Sequence, residues 1–137
     1  MDRFVKNFIG ASIVYLFLST IFGILMLYNP ELLRLKFVHS HLNMLGWVSM
    51  MIYGVGYHIL PRFVGRRIKS VALGEIQFYL SNIGLIGMLF FYTLETYNPG
   101  DSLYRGLTVA SGILEALSIG IFFYNMIATL FAREETQ

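Results

Sequence analysis

The sequence predicts an all-α integral membrane domain of four transmembrane helices, one unit over residues 1–137. Three observations carry this. Hydrophobic residues make up 56% of the chain and charged ones 13%, about half the ~25% charge of an ordinary soluble domain. The mean hydropathy is +0.64. The apolar residues gather into four runs of membrane-crossing length. A soluble domain of this content could not cover its apolar surface, and disorder is excluded on the same grounds. There is no cysteine, which rules out a disulfide framework, thiolate zinc, a cysteine-ligated iron–sulfur cluster and a covalently attached c-type haem. The net charge of +2 comes from scattered Lys and Arg at loop ends. No long basic face exists, so nucleic acid is not an expected partner.

A helix needs about 20 apolar residues to cross the hydrocarbon core. The first span is expected over 7–28, closed by Asn29-Pro30. Its apolar run is too long for a signal peptide and lacks a small-residue cleavage site. The second span is expected over 38–60 and is closed by Pro61. The third is expected over 71–94 and the fourth over 106–131. Lys and Arg set the orientation. Arg3, Lys6, Arg62, Arg66, Arg67, Lys69 and Arg133 fall on one side, and Arg34, Lys36 and Arg105 on the other. The richer side is expected to be cytoplasmic. That gives a multi-pass protein of the cell's inner (cytoplasmic) membrane with both termini inside, and a second span running from outside to inside. Tyr28, Tyr57, Tyr97 and Tyr104 sit near span ends, as an aromatic belt would. Gly46, Gly54, Gly56, Gly84 and Gly87 suit either close helix contact or a cofactor ring against the backbone.

All three histidines lie on the second span, where ionisable groups are costly and point to function. His39 and His41 are near its outer end and His58 near its inner end. Residues two apart on a helix diverge by about 200°, so His39 and His41 face different sides. The His41 face continues as Leu45, Val48, Ile52 and Val55, which is apolar. The His39 face continues as Asn43, Gly46, Met50, Tyr53, Gly54 and Tyr57, which is small or polar. Zinc would require three or four ligands, so a metal-only site fits poorly. Haem fits better, since one imidazole per helix suffices. The alternative for either histidine is an interfacial residue bonded to water, a headgroup or a neighbouring carbonyl. Met44, Met50 and Met51 are candidate sulfur ligands or packing residues. Glu115, in the middle of the fourth span, shares a face with Ser111, Ser118 and Asn125. It reads either as a proton-relay position or as a hydrogen-bonding residue that fixes helix packing.

The segment Phe37-Val38-His39-Ser40-His41-Leu42, continuing to Tyr57-His58-Ile59-Leu60-Pro61, resembles the tenth helix of subunit I of haem–copper oxidases. That helix carries a His-x-His pair near its outer end and a His-x-x-Pro sequence near its inner end, at the same spacing and in the same direction. Leu42-Asn43-Met44-Leu45-Gly46-Trp47 also resembles haem-binding helices of small membrane proteins related to nitric-oxide response proteins. The resemblance implies that His39 ligates a high-spin, gas-binding haem and His41 a low-spin, electron-transferring haem. It implies a fold like one four-helix arc of the oxidase subunit. The further histidines that hold copper in that family are missing, so copper-dependent oxygen reduction within one chain is excluded by count.

The expected function is therefore a membrane protein holding non-covalent haem b for electron transfer or small-gas (NO or O2) binding. It is a candidate haem-dependent oxidoreductase, with a redox partner or quinol. Arg34, Lys36 and Arg105 would pair with the haem propionates or anchor the interface. His58 lies 17 residues beyond His41, about 25 Å along a straight helix, so no two histidines of one chain can sandwich one iron. A homo-oligomer, dimer or trimer, is expected to share the haem. The alternative is a non-catalytic membrane subunit packed against a larger oxidase or reductase, its polar residues acting as helix–helix glue. A small transporter or proton pathway around Glu115 ranks below both, because the inverted repeats and broken helices of transporters are missing.

Overall fold

The computed structural model describes residues 1–131. Arg133, counted above on the richer basic side, lies outside the described residues. The described chain is all helical, with no strand. Helix α1 runs Arg3–Tyr28. A 3-10 turn, Pro30–Leu35, follows; Pro30 opens it and the Asn29 side chain accepts from the Glu31 amide at 3.1 Å. The histidine-bearing stretch comes next in three sections: α2 (Lys36–His41), a π-helical section (Leu42–Ser49) and α3 (Met50–Phe63). Helix α4 is Val71–Tyr97, N-capped by Ser70, and α5 is Ser102–Leu130, N-capped by Asp101. Gly65 (φ +65°) and Gly100 (φ +95°) turn the chain before α4 and α5 in a conformation that needs no side chain.

Three helices, α1, α4 and α5, are long and apolar enough to cross a membrane. Their outer faces carry bare apolar side chains such as Phe17, Ile83 and Phe123, each more than half exposed. The expected second span differs from expectation. It is continuous as a helix from Lys36 to Phe63, but its longest regular α section is the 14 residues of α3. The reason lies in its middle. The Ser49 hydroxyl donates to the Met44 carbonyl five residues back, at 2.8 Å, which fits the wider i→i+5 turn. Gly46 there meets Tyr15 so closely that an added Cβ would lie 2.8 Å from it. The fourth helix also begins earlier than the expected 106, at Ser102.

The helices alternate in direction. Gly54 of α3 packs on Ile9 and Gly46 on Tyr15, so this stretch runs antiparallel to α1. Gly84 of α4 packs against the backbone of Ser111 and Glu115, and Ser70 against Asn125, so α4 and α5 are antiparallel as well. Phe122 of α5 meets Tyr53 and Tyr57 of α3 at 4.8 and 5.3 Å between ring centroids. The core between these pairs is aromatic at the end where α1 starts and α3 finishes: Phe4, Phe8, Tyr53, Tyr57 and Phe122 are all buried. Ser12, Ser19, Ser81 and Ser118 are buried as well, small residues that let backbones approach.

Candidate functional site

The sequence separates His39 from His41 by two positions, and the structure sends them to different neighbours. His39 points at α1. Its Nδ1–H donates to the Ser19 carbonyl at 3.1 Å, and its Nε2 accepts from the Asn43 amide at 3.3 Å. Gly23 makes room for the ring: a Cβ there would stand 3.0 Å from the imidazole. His41 points the other way, towards α4. Its Nδ1–H donates to the Phe37 carbonyl at 2.9 Å. Its ring lies against Phe37 at 3.8 Å, and Phe37 stacks on Tyr92 of α4 at 4.1 Å. Both rings are half-buried.

These contacts determine the tautomers. A carbonyl can only accept, so Nδ1 carries the proton in both imidazoles and Nε2 keeps the lone pair. That is the arrangement of a metal-ligating histidine, whose other ring nitrogen is oriented by a backbone carbonyl. The two differ at Nε2. His41 Nε2 has no hydrogen-bond partner in the described chain, whereas His39 Nε2 is occupied by Asn43. The fit to haem therefore rests on His41 as it stands, and on His39 once Asn43 moves aside. No cluster of three or more His, Asp or Glu that could hold a bare metal ion exists among the described residues.

The cations proposed for propionates are at the same end and differently engaged. Arg34 pairs with Glu31 at 2.8 Å and lies over the Tyr97 ring at 5.7 Å. Arg105 pairs with Glu95 at 2.9 Å. Lys36 is exposed and forms no ion pair among the described residues. Such exposed pairs are weakly held, each worth about 0–1 kcal/mol, so an incoming carboxylate can replace Glu31 or Glu95. His58 is far from this end. Its Nδ1 and carbonyl both receive Arg62.

Glu115 is 3% exposed, and neither carboxyl oxygen has a partner. Ser118 Oγ and Gln77 Nε2 are likewise buried without partners. Below them the polar groups are satisfied. The Tyr57 hydroxyl donates to Gln77 Oε1 at 2.7 Å, and Asn125 bridges the Ser70 amide and carbonyl at 3.1 and 2.8 Å. Sequence reasoning did not single out Ser19, Gly23 or Tyr92, and it placed Asn43 on the His39 face without the contact it makes. The roles of Ser19, Gly23 and Tyr92 depend on which helices lie side by side, which no spacing within one helix reveals, whereas the Asn43 contact is an i,i+4 pair of the histidine helix itself.

With this geometry in view, the likenesses to known proteins take their place. No protein-family model matches the chain. A 49-residue segment is 39% identical to the cbb3-type cytochrome c oxidase subunit CcoN1 of Stutzerimonas stutzeri. The match covers 35% of this chain and 10% of that protein, so the chain corresponds to a small part of its relative's length. The described residues are thus all helical, three of the helices are long and apolar enough to cross a membrane, and one segment is similar to such an oxidase subunit.

Proposed function

We propose that the chain is a haem b-binding protein of the cytoplasmic membrane, acting in electron transfer or in binding a small gas such as NO or O2. The observation that carries this is His41: its Nδ1–H is anchored on the Phe37 carbonyl at 2.9 Å and its Nε2 is left open. The partial likeness to an oxidase subunit supports haem as the group it would hold. Haem, when bound, would supply a one-electron couple and an iron to which a small gas can bind. The chain's own part is to orient His41 through Phe37 and Tyr92, to exclude water with the apolar ends of α1 and α4, and to offer Lys36, Arg34 and Arg105 to the propionates. His39 is a second ligand that Asn43 covers in the single chain. The stretch Lys36–Phe63 makes the fourth crossing, with both termini on the cytoplasmic side. One open imidazole per chain calls for a second copy, as a dimer or trimer, wherever ligation is by nitrogen on both faces.

The test is an absorption spectrum of the detergent-purified protein, oxidised and then reduced, with a pyridine haemochrome assay. A Soret band with reduced b-type bands is expected. A colourless preparation that stays colourless with added haemin refutes it. The second reading is a haem-free subunit packed against a larger oxidase. It is favoured by His39, both of whose nitrogens are engaged, Nδ1 on the Ser19 carbonyl of α1 and Nε2 by Asn43 of its own helix.

A further inference from the structure

The residues that the histidine helix turns inward do not keep one period. In α3, Met50, Tyr53, Gly54, Tyr57 and Pro61 are buried, in the three- and four-residue steps of an α-helix. Earlier in the helix the buried residues are Val38, Leu42, Gly46 and Met50, always four apart. A regular α-helix advances about 100° per residue, so Val38 and Met50 would stand about 120° apart around its axis. Both are nonetheless buried, at 7% and 0% exposure. The discrepancy is close to the rotation of one residue, and it falls in the π-helical section Leu42–Ser49. A π turn closes its hydrogen bond five residues back instead of four. Such a section takes in an extra residue without turning the helix off its contacts.

Two contacts hold the wide turn in place. Gly46 seats on Tyr15, whose hydroxyl donates to Asn82 of α4 at 2.7 Å. The Ser49 hydroxyl donates to the Met44 carbonyl at 2.8 Å. Both histidines lie on the far side of this section from α3, so it sets their direction. Were it regular α-helix, α2 would turn by about 120° relative to α3. His39 would leave Ser19 and Gly23 of α1, and Phe37 with His41 would leave Tyr92 of α4. We propose that the π-helical section is a one-residue insertion that aims His39 and His41 at their separate neighbours, seated by Gly46 on Tyr15. The aim is a property of the chain itself; only its use for haem rests on the function proposed above.

The chain has no cysteine, so single introduced cysteines can report the aim. Val38 is buried and Ser40 exposed. In the detergent-purified full chain, a maleimide should label Ser40→Cys at least tenfold faster than Val38→Cys. Deleting Val48 removes the extra residue and leaves Val38 within about 20° of Met50 on a regular α-helix. The labelling ratio should then stay within twofold of the undeleted chain, and so should haem uptake in a haemin titration. Adding one alanine after Val48 instead turns α2 by about 100° more. It should make Val38→Cys at least tenfold more reactive and abolish haem uptake. Deleting Trp47 is equivalent in register and serves if the first deletion does not fold; failure of both to fold overturns the proposal. A deletion that exposes Val38→Cys overturns it, as does an insertion that leaves the labelling pattern unchanged. If the pattern responds as expected but the wild-type chain takes up no haem, the haem function falls and the aim of the section stands.

Discussion

His39 and His41 should separate stability from cofactor binding in opposite senses. His39→Ala removes the bond to the Ser19 carbonyl at 3.1 Å and the bond from Asn43 at 3.3 Å, and empties the space beneath Gly23. Hydrogen bonds between membrane helices average about 0.6 kcal/mol with a maximum near 1.7. One such bond to Ser19, the bond from Asn43 within the same helix and the cavity the ring leaves behind come to roughly 2–3 kcal/mol. His41→Ala removes one bond within its own helix, at 2.9 Å, and a ring contact with Phe37. Aromatic contacts of this kind are worth about 0.5–1.5 kcal/mol, so the total is about 1–2 kcal/mol. His39 therefore costs more stability, since it makes two bonds and one of them joins two helices, while His41 costs more haem, since its Nε2 is the open one. Unfolding of both variants in dodecyl maltoside, followed by circular dichroism, measures the first quantity. Haemin titration followed at the Soret band measures the second. The reasoning is refuted if His41→Ala keeps the wild-type haem spectrum, or if His39→Ala loses all haem while matching wild-type stability.

Further outcomes follow from other contacts. Asn43→Ala uncovers His39 Nε2 and should raise the haem-to-chain ratio in a haemin titration; an unchanged ratio would show that Asn43 is not the obstacle. In mixed oligomers of wild type and His41→Ala, a haem shared between copies should fall faster than the wild-type fraction, whereas a proportional fall would mean that each chain holds its own. Gly84→Ala would put a Cβ 2.8 Å from the Glu115 amide nitrogen and 3.0 Å from the Ser111 carbonyl, so it should cost about 1–3 kcal/mol in unfolding experiments. Gly120→Ala meets open space and should instead gain about 0.5–1 kcal/mol, which makes it the matched control. Glu115→Leu removes two carboxyl oxygens that have no partner and should raise stability by about 1–3 kcal/mol; a loss would reveal bound water on that carboxyl.

The sequence by itself determined the class of the protein and the identity of its helices. Apolar runs of fixed length leave a chain in lipid little choice but helix, because every backbone group must be satisfied internally. Asn29-Pro30 closes the first helix where the sequence indicates, whereas the start of α5 at Ser102 is set by the Asp101 side chain accepting from the Leu103 amide, a cap that the apolar run from 106 did not show. The inward face of the histidine helix was also legible: Gly46, Met50, Tyr53, Gly54 and Tyr57 are all buried, as their spacing indicates. The π-helical section was not legible, because it reflects the Ser49 hydroxyl reaching the Met44 carbonyl and the close fit of Gly46 on Tyr15. Nor was the difference between the two histidines. His39 and His41 are equal as letters in a His-x-His pair. Asn43 and Phe37 reach the two rings from four residues away in the same helix, but only the packing of α1 and α4 on either side sets Ser19 and Gly23 against His39 and Tyr92 behind Phe37. The contacts with Ser19, Gly23 and Tyr92 join residues far apart in the chain, and their pairing is set by how whole helices fit together, a property no local pattern contains.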